Sequence, residues 1–430
     1  MMSTFIGIDV GTSACRACVI DEHAEIVAEA RTDLPAPVRD GACVEQDPAV
    51  WWLALSETLD QLSGRFDATQ LQRVAIDATS ATLLLCTPQG QPLTPALMYN
   101  DARAVREARQ IAQLAAPDSA ALSASSSLAK LLHLRGALEG RDWLALHQAD
   151  WLAGKLTGRF GVSDENNALK MGYDPLERTW PDWMSRLQLG PSRLPTVVAP
   201  GTTIGRVDAV LTSRWGWPHD VEVVAGTTDS TAGFIATGAS AAGHAVTALG
   251  STLVLKVLSH KPVFAARYGV YSHRLGERWL VGGASNAGGS VLRRFFTPQQ
   301  ITSYSRLMQP QNPTGLDYYP LPAPGERFPV CDPTLQPRLT PRPASDVEFL
   351  QGILEGLARI EQRGYERLAA LGAPYPERVI SVGGGAGNAP WTTIRSQMLG
   401  VPVTAARHQE AAYGAALLAR GLQAAFAHPD

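Results

Sequence analysis

The sequence lacks the features of membrane and secreted proteins. No segment approaches the roughly 20 consecutive apolar residues that a membrane-spanning helix needs. Residues 5–8 (Phe-Ile-Gly-Ile) begin an apolar stretch with no basic region or cleavage site before it. The five cysteines are odd in number and scattered, which suits a reducing compartment. We therefore expect a cytoplasmic protein without membrane association.

An excess of charge of one sign is also missing. The chain has 37 Lys and Arg against 40 Asp and Glu, a formal net charge of -3, so it has no electrostatic footprint for DNA or RNA. A small, partly anionic ligand must then be held by local features. The length of 430 residues exceeds what one hydrophobic core usually organises and predicts two domains. A homodimer is compatible with the sequence, which does not decide the oligomeric state.

Three short motifs that carry nucleotide or metal chemistry are absent or incomplete. There is no GxxxxGK followed by Ser or Thr, and residues 383–387 (Gly-Gly-Gly-Ala-Gly) do not complete a GxGxxG fingerprint. Cys15 and Cys18 spell CxxC, but a zinc site needs a second ligand pair. They fall in a predicted strand, where residues three apart point to opposite faces. We interpret them as packing residues, and phosphates must be bound by another device.

The pattern of strands and helices occurs twice. Residues 7–13 (Gly-Ile-Asp-Val-Gly-Thr-Ser) form a predicted strand and turn, and residues 247–252 (Thr-Ala-Leu-Gly-Ser-Thr) repeat that pattern weakly. Asp47 and Pro48 are typical of a helix start, and a second long helix is predicted from Ser345. The repeat predicts duplicated α/β domains that face each other across a cleft.

The two glycine turns are candidate phosphate-binding elements. Glycine lets the backbone approach a ligand closely, while N–H groups and hydroxyls donate to phosphate oxygens. Each turn taken alone is typical of an ordinary hairpin, but a matching pair in the two halves predicts contact with one polyphosphate from opposite sides. The candidate residues are Gly11, Thr12 and Ser13 in the first half and Gly250, Ser251 and Thr252 in the second.

Two aspartates are candidates for phosphoryl-transfer chemistry. Asp9 ends a predicted strand and is placed to hold Mg²⁺ through water, because that ion keeps much of its hydration shell. Asp229 lies in a Gly-Thr-Thr-Asp loop that opens a predicted helix. It is either a helix cap or the base that accepts a proton from an attacking hydroxyl, and its residue type leaves both roles open.

The apolar strand at 379–382 runs into three glycines. At Gly384 and Gly385 a base or ribose can lie against bare backbone. Asn388 is a candidate hydrogen-bond partner of that nucleoside. Trp391 either stacks on the purine or packs in the core of the following helix.

These motifs, in this order, resemble those of the FGGY carbohydrate kinases, which share the actin and hexokinase ATPase fold. The resemblance covers nearly the whole chain. It is carried by residues 7–13, 101–103 (Asp-Ala-Arg), 226–229, 250–252, 325–329 (Gly-Glu-Arg-Phe-Pro), 383–385 with Asn388, and 410–416 (Glu-Ala-Ala-Tyr-Gly-Ala-Ala).

The resemblance implies two ribonuclease-H-like domains, residues 1–238 for the sugar and the catalytic base and residues 239–430 for ATP, with Mg²⁺ as cofactor. It implies that the last helix, from Glu410 to Leu418, links the domains. Asp229 matches the family's catalytic base and a metal ligand, and Asp9 matches the metal-linked aspartate beside the sugar. Thr12 and Ser251 match the phosphate turns, and the adenosine site matches Gly384, Gly385, Asn388 and Trp391.

The chain departs from typical xylulokinases where these carry Gly-Gln-Met-His-Gly, since residues 77–82 read Asp-Ala-Thr-Ser-Ala-Thr. Residues 99–103 (Tyr-Asn-Asp-Ala-Arg) replace Trp-x-Asp-x-Arg. Both features are similar to a compact, xylulose-kinase-like branch that favours D-ribulose, with Ser80 near the sugar. We expect ATP-dependent phosphorylation of D-ribulose or D-xylulose to the 5-phosphate. The alternatives are a kinase for another ketose or polyol and an actin-like ATPase without sugar kinase activity.

Overall fold

The computed structural model describes residues 2–421, which form two compact units. The first comprises residues 2–238, 273–276 and 410–421, and the second comprises residues 239–272 and 277–409. The second predicted domain extends to residue 430, and its residues 422–430 lie outside the described part of the chain.

The described residues form nineteen strands, several of them in consecutive runs. The strands are β1 (Thr4–Val10), β2 (Ala14–Asp21), β3 (Ile26–Asp33), β4 (Val38–Asp40), β5 (Cys43–Gln46), β6 (Leu71–Ala78), β7 (Leu83–Cys86), β8 (Ala96–Leu97), β9 (Leu144–His147), β10 (Val162–Asp164), β11 (Thr196–Val198), β12 (Thr203–Arg206), β13 (Glu222–Thr228), β14 (His244–Leu249), β15 (Leu253–Ser259), β16 (Tyr271–Leu275), β17 (Arg278–Ala284), β18 (Arg378–Val382) and β19 (Val403–Ala405).

Two helices begin at the residues that the sequence predicts as their caps. Asp47 caps α1 by accepting from the Ala49 N–H, and Ser345 caps α10 by accepting from the Glu348 N–H. The helices are α1 (Pro48–Gln61), α2 (Val105–Ala112), α3 (Ser127–Arg135), α4 (Gln148–Thr157), α5 (Glu165–Ala168), α6 (Ala209–Trp215), α7 (Asp229–Ala236), α8 (Gly289–Leu292), α9 (Pro298–Ser305), α10 (Asp346–Ala370), α11 (Ala389–Leu399) and α12 (Ala411–Arg420). None of those described is long and apolar enough to span a bilayer.

A six-stranded sheet forms the centre of the first unit, in the order β12-β13-β6-β1-β2-β3. Every residue of β1 is buried, which fits a central strand. Strand β1 pairs antiparallel with β2 and parallel with β6, and β13 pairs parallel with β6. The carboxyl ends of β1, β6 and β13 therefore meet at one edge of the sheet.

The second unit repeats this arrangement. Its sheet has the order β16-β17-β15-β14-β18-β19, with β14 antiparallel to β15 on one side and parallel to β18 on the other. The turn between β14 and β15 thus occupies the same place in its sheet as the turn between β1 and β2. This confirms the duplicated α/β organisation that the weak internal repeat predicts.

Cys15 and Cys18 are buried and free on β2, as expected for packing residues. Helix α12, which was expected to link the domains, packs within the first unit against β1 and α7. Two glycines allow this close approach. A Cβ on Gly7 would lie 2.0 Å from the Ala412 carbonyl oxygen, and one on Gly414 would lie 1.8 Å from the Ala232 carbonyl oxygen.

Candidate active site

Three aspartates come together at the carboxyl edge of the first sheet. The register of β1 with β6 places Asp9 opposite Asp77, and the register of β13 with β6 places Thr227 on the other side of Asp77. Asp229 follows directly after β13 as the first residue of α7. The charge of Asp229 contributes to raising the pKa values of both Asp9 and Asp77.

Burial dominates the electrostatics of this aspartate cluster. Asp77 is fully buried, and neither carboxyl oxygen accepts a hydrogen bond from an N–H or O–H group of the described residues. Burial, followed by the charges of Asp9 and Asp229, raises its pKa well above the usual value, so Asp77 can keep a proton and donate it to Asp9.

The pKa of Asp9 is also raised. Burial, followed by repulsion from Asp229, raises the pKa of Asp9 to about 6, and the Arg16 guanidinium opposes this rise. Arg16 Nη1 donates to Asp9 Oδ2 over 3.2 Å, and its Nε lies 3.9 Å from Glu410 Oε2. A group of carboxylates held this close favours the approach of a cation.

Asp229 does not cap helix α7. Thr228 occupies the N-cap position, the helix begins at Asp229, and the Asp229 Oδ1 accepts a hydrogen bond from the Ser230 N–H over 2.6 Å. Asp229 thus binds an N–H of the first helical turn without being the N-cap residue, and its role as the base stays a prediction. A half-buried carboxylate in the first helical turn also lies at the positive end of the helix dipole.

The donor set suits Mg²⁺, although residues 2–421 contain no group of three or more His, Cys, Asp and Glu side chains arranged to hold a metal ion. Magnesium needs only one or two protein carboxylates because waters and phosphate oxygens complete its coordination shell. Asp9 and Asp229 supply such oxygens. The residues therefore fit the ion, and their role as its ligands stays a prediction.

The remaining candidates of the first unit lie in two turns. Gly11, Thr12 and Ser13 connect β1 to β2, and the Gly11 N–H donates to the Ala14 carbonyl over 3.1 Å. Thr12 is half-buried, and Ser13 is exposed. Ser80 is half-buried in the turn that follows β6, the strand that carries Asp77.

A cavity of about 880 Å³ in the second unit brings together most of the predicted nucleotide residues. The predicted residues in its wall are Gly250, Ser251, Gly384, Gly385, Asn388 and Trp391. Thr252 lies in the β14–β15 turn with Gly250 and Ser251 but does not line the cavity.

The cavity wall contains bare backbone and side chains with structural duties. A Cβ added to Gly384 or Gly387 would meet nothing within 4 Å, so both face open space. Asn388 caps α11 through its Oδ1 and donates from Nδ2 to Ser305 Oγ over 2.8 Å. Trp391 is only 3% exposed, and its Nε1 donates to the Leu354 carbonyl over 3.1 Å. Trp391 therefore packs in the core and presents only a small part of its ring to the cavity.

Arg293 and Asp77 are two site residues that the sequence did not predict. The described cavity wall carries two arginines, Arg293 and Arg306, and no Asp or Glu. Arg293 Nη2 donates to Ser251 Oγ over 2.8 Å, and the Gly289 N–H docks α8 on the Gly250 carbonyl over 2.8 Å. No local sequence pattern marks Arg293. Asp77 could have been found from the sequence, since it lies near the end of an apolar strand as Asp9 does.

The duplicated sheets place the chain in the class of two-domain α/β proteins with the actin/hexokinase-like ATPase fold. Within that class it belongs to the FGGY family of carbohydrate kinases. The model of the family's N-terminal domain matches residues 4–236, and that of its C-terminal domain matches residues 245–420. The protein is therefore a carbohydrate kinase, and FGGY kinases use ATP as the phosphoryl donor.

Individual relatives agree with this assignment. The chain is 25% identical to the xylulose kinase of Escherichia coli (strain K12) over 92% of its own length and 85% of that protein. A crystal structure of a xylulose kinase from Brucella ovis superposes with a TM-score of 0.88 at 24% identity, covering 99% of this chain and 91% of the other. Plasmodium falciparum glycerol kinase with ADP gives a TM-score of 0.86 at 16% identity, covering 97% and 89%. The fold is thus shared by kinases of different acceptors.

Proposed function

We propose that this kinase transfers the γ-phosphoryl group of ATP to a pentulose, D-ribulose or D-xylulose, and forms the 5-phosphate. The observation that carries the proposal is the carboxylate of Asp229 beside Asp9 and Asp77 at one sheet edge. The pentulose is supported by similarity to proteins named xylulose kinases over nearly the whole chain. Residues 77–82 differ from the segment that is usual in xylulokinases. This difference favours D-ribulose over D-xylulose as the acceptor.

We assign ATP to the cavity of the second unit. Gly384 and Gly385 offer bare backbone to the adenosine, with Asn388 and Trp391 beside them. Ser251 and Arg293 lie together at the phosphate end, and the guanidinium supplies the positive charge that a polyphosphate requires. Gly11, Thr12 and Ser13 form the matching turn of the first unit, and their contact with the same triphosphate is part of the proposal.

We assign the sugar to the first unit, beside Ser80, Asp9 and Asp229. Asp229 accepts the proton of the attacking hydroxyl, and the oxygen of that hydroxyl forms a bond to the γ-phosphorus. The bond from the γ-phosphorus to the bridging oxygen breaks, and ADP leaves with that electron pair. The proton stays on Asp229 until solvent removes it, so the atoms and charges balance.

Asp9, partly through water, and Asp229 would hold Mg²⁺, which when bound neutralises phosphate charge. The Arg16 ion pair orients the Asp9 carboxylate without consuming both of its oxygens, since only Oδ2 accepts from Arg16. Asp77, buried beside Asp9 with its pKa raised, keeps its proton and helps hold the Asp9 carboxylate in place by donating to it.

An ADP-release assay over a panel of acceptors tests the proposal. The panel contains D-ribulose, D-xylulose, L-ribulose, glycerol and D-gluconate, each at several concentrations with ATP and Mg²⁺. We expect one of the two D-pentuloses to have the highest kcat/KM and mass spectrometry to locate the phosphate on carbon 5. A higher kcat/KM for glycerol or gluconate would overturn the pentulose assignment. The homodimer and the cytoplasmic location stay predictions.

A further inference from the structure

A fully buried lysine contacts the turn that carries Ser80, the predicted sugar contact. Lys130, on α3, has no exposed surface, and its Nζ donates to the Ala81 carbonyl over 2.8 Å and to the Met98 carbonyl over 2.7 Å. Burial lowers the pKa of Lys130 to about 7, an effect that Lys170 reinforces and Asp101 opposes. An amine is costly to bury, so its two carbonyl contacts must satisfy most of its hydrogen-bonding capacity.

The first of these carbonyls belongs to a strained turn. Ala81 has φ of 66°, in the left-handed region that residues with a Cβ rarely adopt. The turn is closed by a hydrogen bond from the Thr82 N–H to the Thr79 carbonyl over 3.3 Å. A non-glycine residue keeps such a conformation only where its surroundings enforce it, and Lys130 supplies part of that enforcement.

Gln148, at the start of α4, holds the same turn from a second element. Its backbone N–H donates to the Thr82 carbonyl over 3.2 Å, and its Oε1 accepts from Thr79 Oγ1 over 2.7 Å. The hydroxyls of Thr79 and Thr82 are 2.6 Å apart. Gln148 is fully buried, as Lys130 is.

Lys130 and Gln148 hold the 79–82 turn but leave one of its side chains accessible. Thr79, Ala81 and Thr82 are buried with exposures of 4%, 2% and 0%, while Ser80 between them is half-buried. Ser80 follows Asp77 on the same segment, so the turn links the aspartate cluster to the predicted sugar contact.

We propose that Lys130 and Gln148 are positioning residues for the sugar acceptor, which act by holding the 79–82 turn so that Ser80 presents its hydroxyl to the substrate. The inference rests on the proposed sugar site around Ser80. It predicts that loss of either residue weakens use of the sugar and leaves use of ATP nearly unchanged, because the ATP cavity lies in the other unit.

The test compares Lys130→Met and Gln148→Leu with Gln46→Leu. Gln46 is a matched control because it is also buried in the first unit, but its hydrogen bonds go to Pro35 and Trp51. The KM for the sugar, the KM for ATP and the melting temperature are measured for each. We expect the KM for the sugar to rise at least tenfold in both test variants, with the KM for ATP within twofold of wild type. The Gln46→Leu control should lose stability, but its KM for the sugar should not rise relative to its KM for ATP.

A rescue separates positioning from general destabilisation. Ala81→Gly, added to Lys130→Met, removes the strain at the left-handed position and should lower the KM for the sugar again, although it restores no lost hydrogen bond. If Lys130→Met does not fold, Gln148→Leu with and without Ala81→Gly gives the same comparison. Unchanged KM for the sugar in Gln148→Leu, or equal rises in both KM values, would refute the inference.

The acceptor for these assays is the best one found for the wild-type enzyme. Failure of the pentulose proposal then changes the sugar that is used and not the comparison among variants. The two results are therefore distinguishable.

Discussion

At the scale of single residues, position in the fold decides what each carboxylate does. Asp9 and Asp77 are buried on neighbouring strands, and their pKa values rise mainly because burial disfavours their charged forms. Asp229 is half-buried at a helix start, so it is the more accessible of the three carboxylates. This accessibility supports its proposed role as the base that accepts the hydroxyl proton.

Replacement of Asp229 by Asn should lower kcat by a factor of about 100 or more, because an amide cannot accept the hydroxyl proton. The affinity for ADP should remain within about twofold of wild type, as measured by calorimetry. Asp208→Asn is a control at another helix start, since Asp208 caps α6 by accepting from the Val210 N–H and asparagine caps equally well. Near-normal turnover of Asp229→Asn would exclude this base.

Lys130 should make stability depend on pH. The unfolded chain binds this proton up to the ordinary lysine pKa of 10.5, whereas the folded chain binds it only below about 7. The unfolded state thus holds more protons between these values, and stability rises with pH in this window. The free energy of unfolding of wild type, minus that of Lys130→Met, should increase by roughly 2 kcal/mol from pH 7.5 to 9. Urea unfolding at both pH values measures this, and a constant difference would contradict it.

At the scale of elements, glycine sets how closely α12 approaches its neighbours. The helix crosses β1 at Gly7 and α7 at Gly414, and in both places a side chain would overlap backbone atoms. The run of small residues at 411–416 therefore has a packing reason within the first unit. Because α12 lies against the strand that carries Asp9, a shift of this helix would disturb the aspartate cluster.

Gly414→Ala tests this contact. Helix propensity favours alanine by about 1 kcal/mol, but a Cβ only 1.8 Å from the Ala232 carbonyl oxygen forces the helices apart at a cost of about 3 kcal/mol. We expect a net loss of about 2 kcal/mol in the free energy of unfolding. Gly136→Ala is the control, since its Cβ would meet nothing closer than 3.7 Å. Equal stability of the two variants would show that α12 can move away without cost.

At the scale of the whole molecule, the proposed function divides sugar binding and ATP binding between the two units. The aspartate cluster and Ser80 belong to the first unit, whereas the cavity with Ser251 and Arg293 belongs to the second. Mutations in one unit should therefore change the use of one substrate selectively.

Arg293→Met tests this division. Loss of a charged hydrogen bond to phosphate should raise the Kd for ADP about tenfold, with little change for adenosine or in the KM for the sugar. Arg294→Met is the matched control, because Arg294 Nη1 donates to the Pro322 carbonyl over 2.6 Å and does not line the cavity. Equal loss of ADP and adenosine binding would indicate that Arg293 supports the cavity rather than the phosphates.

Much of the architecture follows from the sequence alone. The turns at Gly11 and Gly250, the start of α1 at Asp47 and Pro48 and the start of α10 at Ser345 depend on interactions within a few residues, so local patterns predict them. The strand-end position of Asp9 and the glycines at 384 and 385 follow for the same reason.

The tertiary structure alone decided which distant residues meet. The order β13-β6-β1 places Asp77 beside Asp9, the pairing of α3 with the 79–82 turn buries Lys130, and α8 brings Arg293 to Ser251. Trp391 became mainly a core residue because α11 packs it against Leu354. Such contacts join segments dozens of residues apart, and they depend on sheet order and helix packing, which short-range preferences do not determine.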